Sequence, residues 1–288
     1  MNQIKAKLKI YGELMRVEKP IGTLLLLWPT LWAWLIAGNG HPSWIVGAML
    51  VLGTFLMRSV GCIINDVADR KIDLHVQRTQ NRPFARGVVC VKEALTLAFI
   101  LTILAILCLL PLNLLSWLLS IPAFFLAVSY PFTKRFFPLP QAYLGLAFSF
   151  GIPIAFAAQV NAVPLLAWLI FLANTAWTIA YDTIYALVDK EDDLKIGIQT
   201  SAITFGQYDI AWIMFFHILF LFTLIAIGLW IPFSWPFWIS IVLVFLHQAK
   251  QYIEIKTHIR EKCFKAFLDN NHIGFFVFIG ILAHYLVQ

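Results

Sequence analysis

Three stretches of the chain, residues 20–57, 94–133 and 210–249, contain no Asp, Glu, Lys or Arg. Each is interrupted by turn residues: GNGHP at 38–42, LPLN at 110–113 and IPFSWP at 231–236. A helix needs about 20 apolar residues to cross the hydrocarbon core of a bilayer, so each run accommodates two crossings. The same reading along the chain predicts nine helices, at 20–37, 43–65, 93–110, 113–131, 141–158, 164–185, 209–230, 235–251 and 270–287. Backbone groups in lipid must be satisfied within a helix or a closed barrel, and these runs lack the alternation of barrel strands. The pattern therefore predicts an all-α polytopic membrane protein: one bundle of nine transmembrane helices, and one domain over 1–288.

The polar positions orient the bundle. Of the 288 residues, 61% are hydrophobic and only 12% charged, with a mean hydropathy of +0.82. With the N-terminus in the cytoplasm, nine crossings leave 1–19, 66–92, 132–140, 186–208 and 252–269 on the cytoplasmic side. Every Lys and Arg except Arg58 falls in these segments or at their membrane edges, as the positive-inside rule requires. The net charge of +6 then reflects orientation and affinity for anionic lipid. Nucleic acid is excluded as a partner, because the cations flank spans and no soluble recognition module is visible; nor is an obligate protein partner evident.

The basic, amphipathic stretch IKAKLKIYGELMRVEKP is expected to lie on the membrane surface. It reads as neither a cleavable signal peptide nor an Arg/Ser-rich transit segment. The expected location is a bacterial inner membrane, with the active site facing the cytoplasm. Cys62, Cys90, Cys108 and Cys263 are scattered without a CxxC pair, so they indicate neither disulfides nor a metal motif. The histidines show no ligand spacing, and His75, His217 and His247 read as packing or interface residues.

The acids are concentrated. Asp66, Asp69 and Asp73 follow the second predicted helix, and Asp182, Asp189, Glu191, Asp192 and Asp193 lie in or after the sixth. Residues at i, i+4 and i+7 share a helix face, which places Asn65, Asp69 and Asp73 on one stripe with Arg58 two turns deeper. Asp182, Asp189 and Asp193 repeat the spacing of Arg58, Asn65 and Asp69, as a diverged parallel repeat would. A solvated charged loop is the plain alternative for any one of these residues. For the ensemble it is weak, because carboxylates stacked on one helix face repel and persist where something positive occupies them. Oxygen-only ligands favour Mg²⁺ or Ca²⁺ over zinc. Mg²⁺ commonly completes its octahedron with water and substrate phosphates, so two facing clusters suggest a diphosphate bridged by Mg²⁺. Arg78 and Arg82 follow the acids and suit free phosphate oxygens. An arginine inside a membrane helix is a functional-site hypothesis in itself; Arg58 is expected to orient an acceptor, with an internal salt bridge to Asp182 or Asp69 as the alternative.

NDVADRKID (65–73) and YDTIYALVDKEDD (181–193) resemble the two aspartate motifs of the UbiA superfamily of intramembrane prenyltransferases. LLLLWPTLWAW (24–34), RSVGCIIND (58–66), HVQRTQNRP (75–83), YPFTKR (130–135) and FLDNNHIG (267–274) are similar to the 4-hydroxybenzoate polyprenyltransferases of that superfamily. The resemblance covers nearly the whole chain. It implies nine helices around a central cavity open sideways to lipid, with polyprenyl diphosphate and 4-hydroxybenzoate as substrates and Mg²⁺ as cofactor. It implies that Asn65, Asp69 and Asp73 help hold one Mg²⁺ and Asp189 and Asp193 the other, with Asp66, Asp182 and Asp192 also at motif positions. It places Tyr130 and Lys134 beside the diphosphate. Such a reaction needs no covalent intermediate, which agrees with the absence of a nucleophile–base constellation.

Three rival readings remain at this level. One is another acceptor within the superfamily: haem, a naphthoquinone precursor or a chlorophyll precursor. Another is a carboxylate-coupled transporter, but transporters keep coupling acids near the bilayer midplane and these lie at one edge. The third, a CDP-alcohol phosphotransferase, lacks its DGxxAR-type signature here.

Overall fold

The computed structural model describes residues 2–288, and among them the regular structure is entirely helical. The helices are α1 (Asn2–Leu14), α2 (Pro20–Ala37), α3 (Trp44–Asp69), α4 (Val91–Leu109), α5 (Leu114–Thr133), α6 (Pro140–Ser149), α7 (Gly151–Val160), α8 (Leu165–Ile196), the short α9 (Ser201–Thr204), α10 (Asp209–Trp230), α11 (Trp235–Ile255) and α12 (Arg260–Leu286). Among the described residues, eight stretches are long and apolar enough to cross a bilayer: α2, α3, α4, α5, α6 with α7, α8, α10 with the turn before it, and α12. The chain is a multi-pass membrane protein. The ninth expected span, α11, is as long as the others but falls outside this set. Its second half carries His247, Gln248, Lys250, Gln251 and Glu254.

Several helices outrun their apolar segments. The expected 164–185 is the front of a 32-residue helix ending at Ile196. The expected 270–287 begins at Arg260, and 43–65 continues to Asp69. Hydropathy marks where lipid ends, whereas a helix runs on until a backbone signal stops it. For α8 that signal is Gly197, whose φ of 77° closes the last turn through a bond to the Asp193 carbonyl. The single helix expected at 141–158 is divided into α6 and α7. Pro153 has no N–H for the helical ladder, and Gly151 lies so close to the Thr30 hydroxyl that a Cβ there has no room.

The core lies where α2, α8, α10 and α12 meet. Trp177, Trp32 and Phe220 form a mutually packed triad, with the Trp32 and Phe220 ring centroids 5.6 and 5.5 Å from that of Trp177 and 6.3 Å from each other. Three indole N–H groups of this core have acceptors on α12. Trp28 donates to Asn271 Oδ1 at 2.9 Å, Trp32 to the Gly274 carbonyl at 3.0 Å and Trp177 to Asn270 Oδ1 at 3.0 Å. An unpaired indole there would carry its full desolvation cost. Two of the family-like stretches, LLLLWPTLWAW and FLDNNHIG, are thereby joined as a packing device.

Beyond the turn that links them, α4 and α5 do not pack on each other. Ile106, Leu118, Ile121 and Phe124 line this parting as exposed apolar side chains. The N-terminal helix α1 is tied to the start of α4: Leu14 is fully buried, and Tyr11 donates to Glu93 at 2.6 Å.

Candidate active site

Under the ends of α3, α5 and α8 lies a cavity of about 1530 Å³. Its polar mouth includes Arg16, Arg58, Asn65, Asp66, Arg78, Arg82, Tyr130 and Asp182. Its lower walls are apolar residues of α2, α3, α4, α5 and α7, and they reach the parting between α4 and α5.

The carboxylates of the first motif are individually paired. Asp66, 1% exposed, accepts from Arg16 Nη2 through both oxygens, at 2.7 and 2.8 Å, and from Arg82 Nη1 at 3.1 Å. Arg82 Nη1 also reaches Asp73 at 3.0 and 3.1 Å. Lys134 donates to Asn65 Oδ1 at 3.1 Å and to Asp69 Oδ2 at 3.0 Å. The other Asp69 oxygen is buried with no hydrogen-bond partner among the described residues. Asp73 departs from the expected stripe: α3 ends at Asp69, and Asp73 opens a separate 3₁₀ turn, Asp73–His75. Arg82, rather than helix periodicity, brings it back to Asp66.

On α8, Asp189 receives a fork from Arg78, with Nη2 at 2.6 Å and Nε at 3.0 Å from Oδ2. The Arg78 guanidinium lies 4.5 Å over the Tyr185 ring, and that ring stacks on Phe267 at 4.3 Å. Asp182 and Asp193 have no ion pair among the described residues, although Lys134 and Arg78 lie near enough to act on both. Asp192 points elsewhere and meets Arg260 of α12 at 3.2 Å. Arg260 also donates to Gln77 at 2.7 Å, tying the loop after α3 to α12.

Outside the spans, the charges respond to this packing. Burial pushes the Asp73 carboxyl above its ordinary range; Asp66 and Asp69 add to the effect and Arg82 opposes it. Burial works against the charge of Arg78, but Tyr185 and Asp189 outweigh it and hold the guanidinium charged. Burial and neighbouring Arg16 lower the Lys19 ammonium.

Arg58 makes neither of the salt bridges considered from sequence. Its guanidinium faces the cavity, hydrogen-bonds Cys62 one turn on, and rests against Gly22 of α2. Tyr130 and Lys134 are neighbours, with Nζ 5.5 Å from the ring centroid. Lys134 is fixed further by its carbonyl, which accepts from Gln199 N at 2.9 Å.

Sequence reasoning missed Arg16, Tyr185 and Phe267. The only local signal for Arg16 is a basic residue just before the first apolar run, which looks the same as an orientation charge.

The donors on α3 and α8 are carboxylates and one amide oxygen. This is a hard, oxygen-only set that fits Mg²⁺ and does not favour zinc. The Asp69 oxygen that lacks a hydrogen bond, with Arg135 Nη2 3.6 Å away, and Asp182 and Asp193, which lack an ion pair among the described residues, are consistent with such an ion.

Fold and site together define an integral-membrane helical bundle with a carboxylate- and cation-lined mouth above an apolar cavity. The sequence pattern of the UbiA prenyltransferase family matches residues 26–280. The chain is 58% identical over 282 residues to the 4-hydroxybenzoate octaprenyltransferase of Neisseria meningitidis serogroup C, covering 98% of this chain and 95% of that one. It is 55% identical to the enzyme of the same name from Nitrosomonas europaea, over 98% and 97% of the two chains. Among solved structures, a UbiA homolog from Aeropyrum pernix superposes with a TM-score of 0.78 at 23% identity, covering 92% of this chain and 98% of that one. A UbiA homolog from Archaeoglobus fulgidus bound to GPP and Mg²⁺ gives 0.72 at 15% identity, over 95% and 99%. The protein belongs to the UbiA prenyltransferase family.

Proposed function

We propose that this protein transfers a polyprenyl group from polyprenyl diphosphate to the carbon ortho to the hydroxyl of 4-hydroxybenzoate, releasing diphosphate, as a step of ubiquinone biosynthesis. The observation that carries this reading is the single cavity with two unlike parts. Its mouth takes Asn65 and Asp66 of the first motif and Asp182 of the second, with Arg78 and Arg82; Asp73 and Asp189 are bonded to those arginines, and Asp69 to Lys134, outside the lining itself. Its apolar walls lead to a gap facing lipid. A prenyl diphosphate has the same division. The full-length similarity to enzymes named 4-hydroxybenzoate octaprenyltransferase supports the acceptor, and makes octaprenyl the first chain length to test.

Asn65, Asp69 and Asp73 would hold one Mg²⁺, and Asp189 and Asp193 another, with Asp182 within reach. Bound there, Mg²⁺ supplies Lewis acidity to the departing diphosphate. Arg78, Arg82 and Lys134 now neutralise these carboxylates, and on loading they turn to the phosphate oxygens. Asp66, held by Arg16 and Arg82, and Asp192, held by Arg260, position those arginines. The C–O bond to diphosphate breaks, and C1 of the prenyl chain gains allylic cation character. Tyr130 presents its ring to that charge. Arg58 holds the acceptor's carboxylate so that the ortho carbon faces C1; a C–C bond forms and the ring loses a proton. The apolar walls exclude water, which would otherwise convert the cation to an alcohol. The N-terminus and the site face the cytoplasm of a bacterial inner membrane, α11 completes nine crossings, and residues 1–288 form one domain.

The test uses membranes containing the protein, labelled 4-hydroxybenzoate, octaprenyl or geranyl diphosphate, and Mg²⁺, with and without EDTA. A lipid-soluble product that disappears with EDTA supports the reading. Labelled product from a haem or naphthoate acceptor, and none from 4-hydroxybenzoate, would overturn it.

A further inference from the structure

A second cluster of ligand-type side chains lies on α11 and α12, at residues that do not line the cavity. Asp269 and His272 are three residues apart on α12 and share a face. His247 of α11 comes up against them. One nitrogen from each histidine and one carboxylate oxygen lie within 4.8 Å of one another. His272 Nδ1 is 3.9 Å from Asp269 Oδ1, and the two imidazole centroids are 5.5 Å apart. This is the one such grouping of three His, Cys, Asp or Glu ligands among the described residues.

Three further features make it a built site. His247 Nε2 is buried with no hydrogen-bond partner among the described residues, and the Phe276 ring packs edge-on against this imidazole with centroids 5.8 Å apart. A buried, unpaired ring nitrogen beside an aromatic face is costly unless something binds it. Asp269 Oδ2 accepts from Lys250 Nζ at 2.7 Å. That bond fixes the carboxylate as an outer partner would, and leaves Oδ1 for the cluster. His272, with its side chain 54% exposed, is free to rotate. Tetrahedral coordination at about 2.0–2.1 Å brings ligand atoms to roughly 3.4 Å from each other, so closure needs side-chain shifts of about an ångström.

We propose that His247, Asp269 and His272 form a binding site for a zinc-class transition dication that clamps α11 to α12. Two imidazoles and one carboxylate suit Zn²⁺ and its first-row neighbours, whereas Mg²⁺ prefers oxygen donors. The fourth position is left to water. The clamp is chemically distinct from the aspartate mouth. It also lies next to it: Phe267 and Leu268, the residues before Asp269, line the cavity.

The experiment uses the full chain purified in detergent through a tag without histidines, stripped of metal, with excess Mg²⁺ present to saturate the aspartate mouth. Zn²⁺ is titrated in competition with a fluorescent chelator, and Co²⁺ serves as an optical probe. The expected result is one equivalent of Zn²⁺ bound despite the Mg²⁺, with the visible bands of tetrahedral cobalt. His272→Ala and His247→Gln should each weaken Zn²⁺ at least about tenfold, while Asp69→Asn leaves it unchanged. His272 is exposed enough for its alanine variant to fold, so the test survives if the His247 variant does not. Absence of Zn²⁺ binding would overturn the proposal. So would affinity unaffected by His272→Ala, or binding that Mg²⁺ displaces or Asp69→Asn removes.

Discussion

Arg58 offers a test from two directions, because the structure shows both what it is and what it leans on. Its guanidinium lies in the cavity against Gly22, and a Cβ built on Gly22 would overlap it, with Nε and Cζ only 3.1 Å away. Arg58→Ala removes the proposed partner of the acceptor carboxylate. Gly22→Ala keeps the arginine but displaces its head by one methyl. A hydrogen bond to a charged group is worth about 1.5–3 kcal/mol, and each 1.4 kcal/mol is about tenfold. Arg58→Ala should therefore raise KM for 4-hydroxybenzoate roughly 10- to 150-fold. Gly22→Ala should move the same constant in the same direction by less, since the long side chain can partly adapt. KM for the prenyl diphosphate should hold nearly constant in both. The assay is incorporation of labelled 4-hydroxybenzoate into lipid-soluble product, each substrate varied with the other saturating. A rise confined to the diphosphate KM, or equal rises for both substrates, would refute the assignment of Arg58 to the acceptor. Wild-type kinetics in Gly22→Ala would show that the guanidinium's position is not used.

Asp69→Asn and Asp189→Asn should each lower turnover at least about a hundredfold, with helix content by circular dichroism unchanged; near-normal rates from either would remove it from the metal-holding set. Arg78→Ala should reduce kcat/KM for the diphosphate by more than about tenfold, and Arg78→Lys should not restore it, because lysine offers neither the fork on Asp189 nor the planar stack on Tyr185. Asn270→Ala orphans the Trp177 indole N–H and should cost roughly 1–3 kcal/mol, read as a lower melting temperature in detergent with activity retained well below it. An unchanged melt would mean that the indole finds another acceptor.

The membrane class, the approximate places of the spans and the two aspartate motifs follow from one-dimensional order. Hydropathy over about 20 residues and spacings of four and seven are local quantities, and they were sufficient to single out Asn65, Asp69, Asp189, Asp193 and Arg58. They did not locate helix ends. Lipid and helix have different boundaries, so α8 carries its acids on a helix that ends eleven residues beyond the apolar stretch. Nor did periodicity hold at Asp73, where the chain had already left α3.

Only tertiary structure decided which cation meets which carboxylate. Arg16 reaches Asp66 across 50 positions, and Arg78 reaches Asp189 across 111. Nothing local distinguishes these arginines from the others that orient the bundle, because a side chain's charge is the same wherever the fold delivers it. The same applies to His247, Asp269 and His272, whose chemistry depends on two helices lying side by side. The sequence alone determined that this chain enters a membrane and carries two oxygen-rich motifs at one edge of it. The packing of α2 and α8 on α12, joined by indole N–H groups that need acceptors in a medium without water, and of α3 beside α5 determined how those motifs and their counter-charges meet at the cavity mouth.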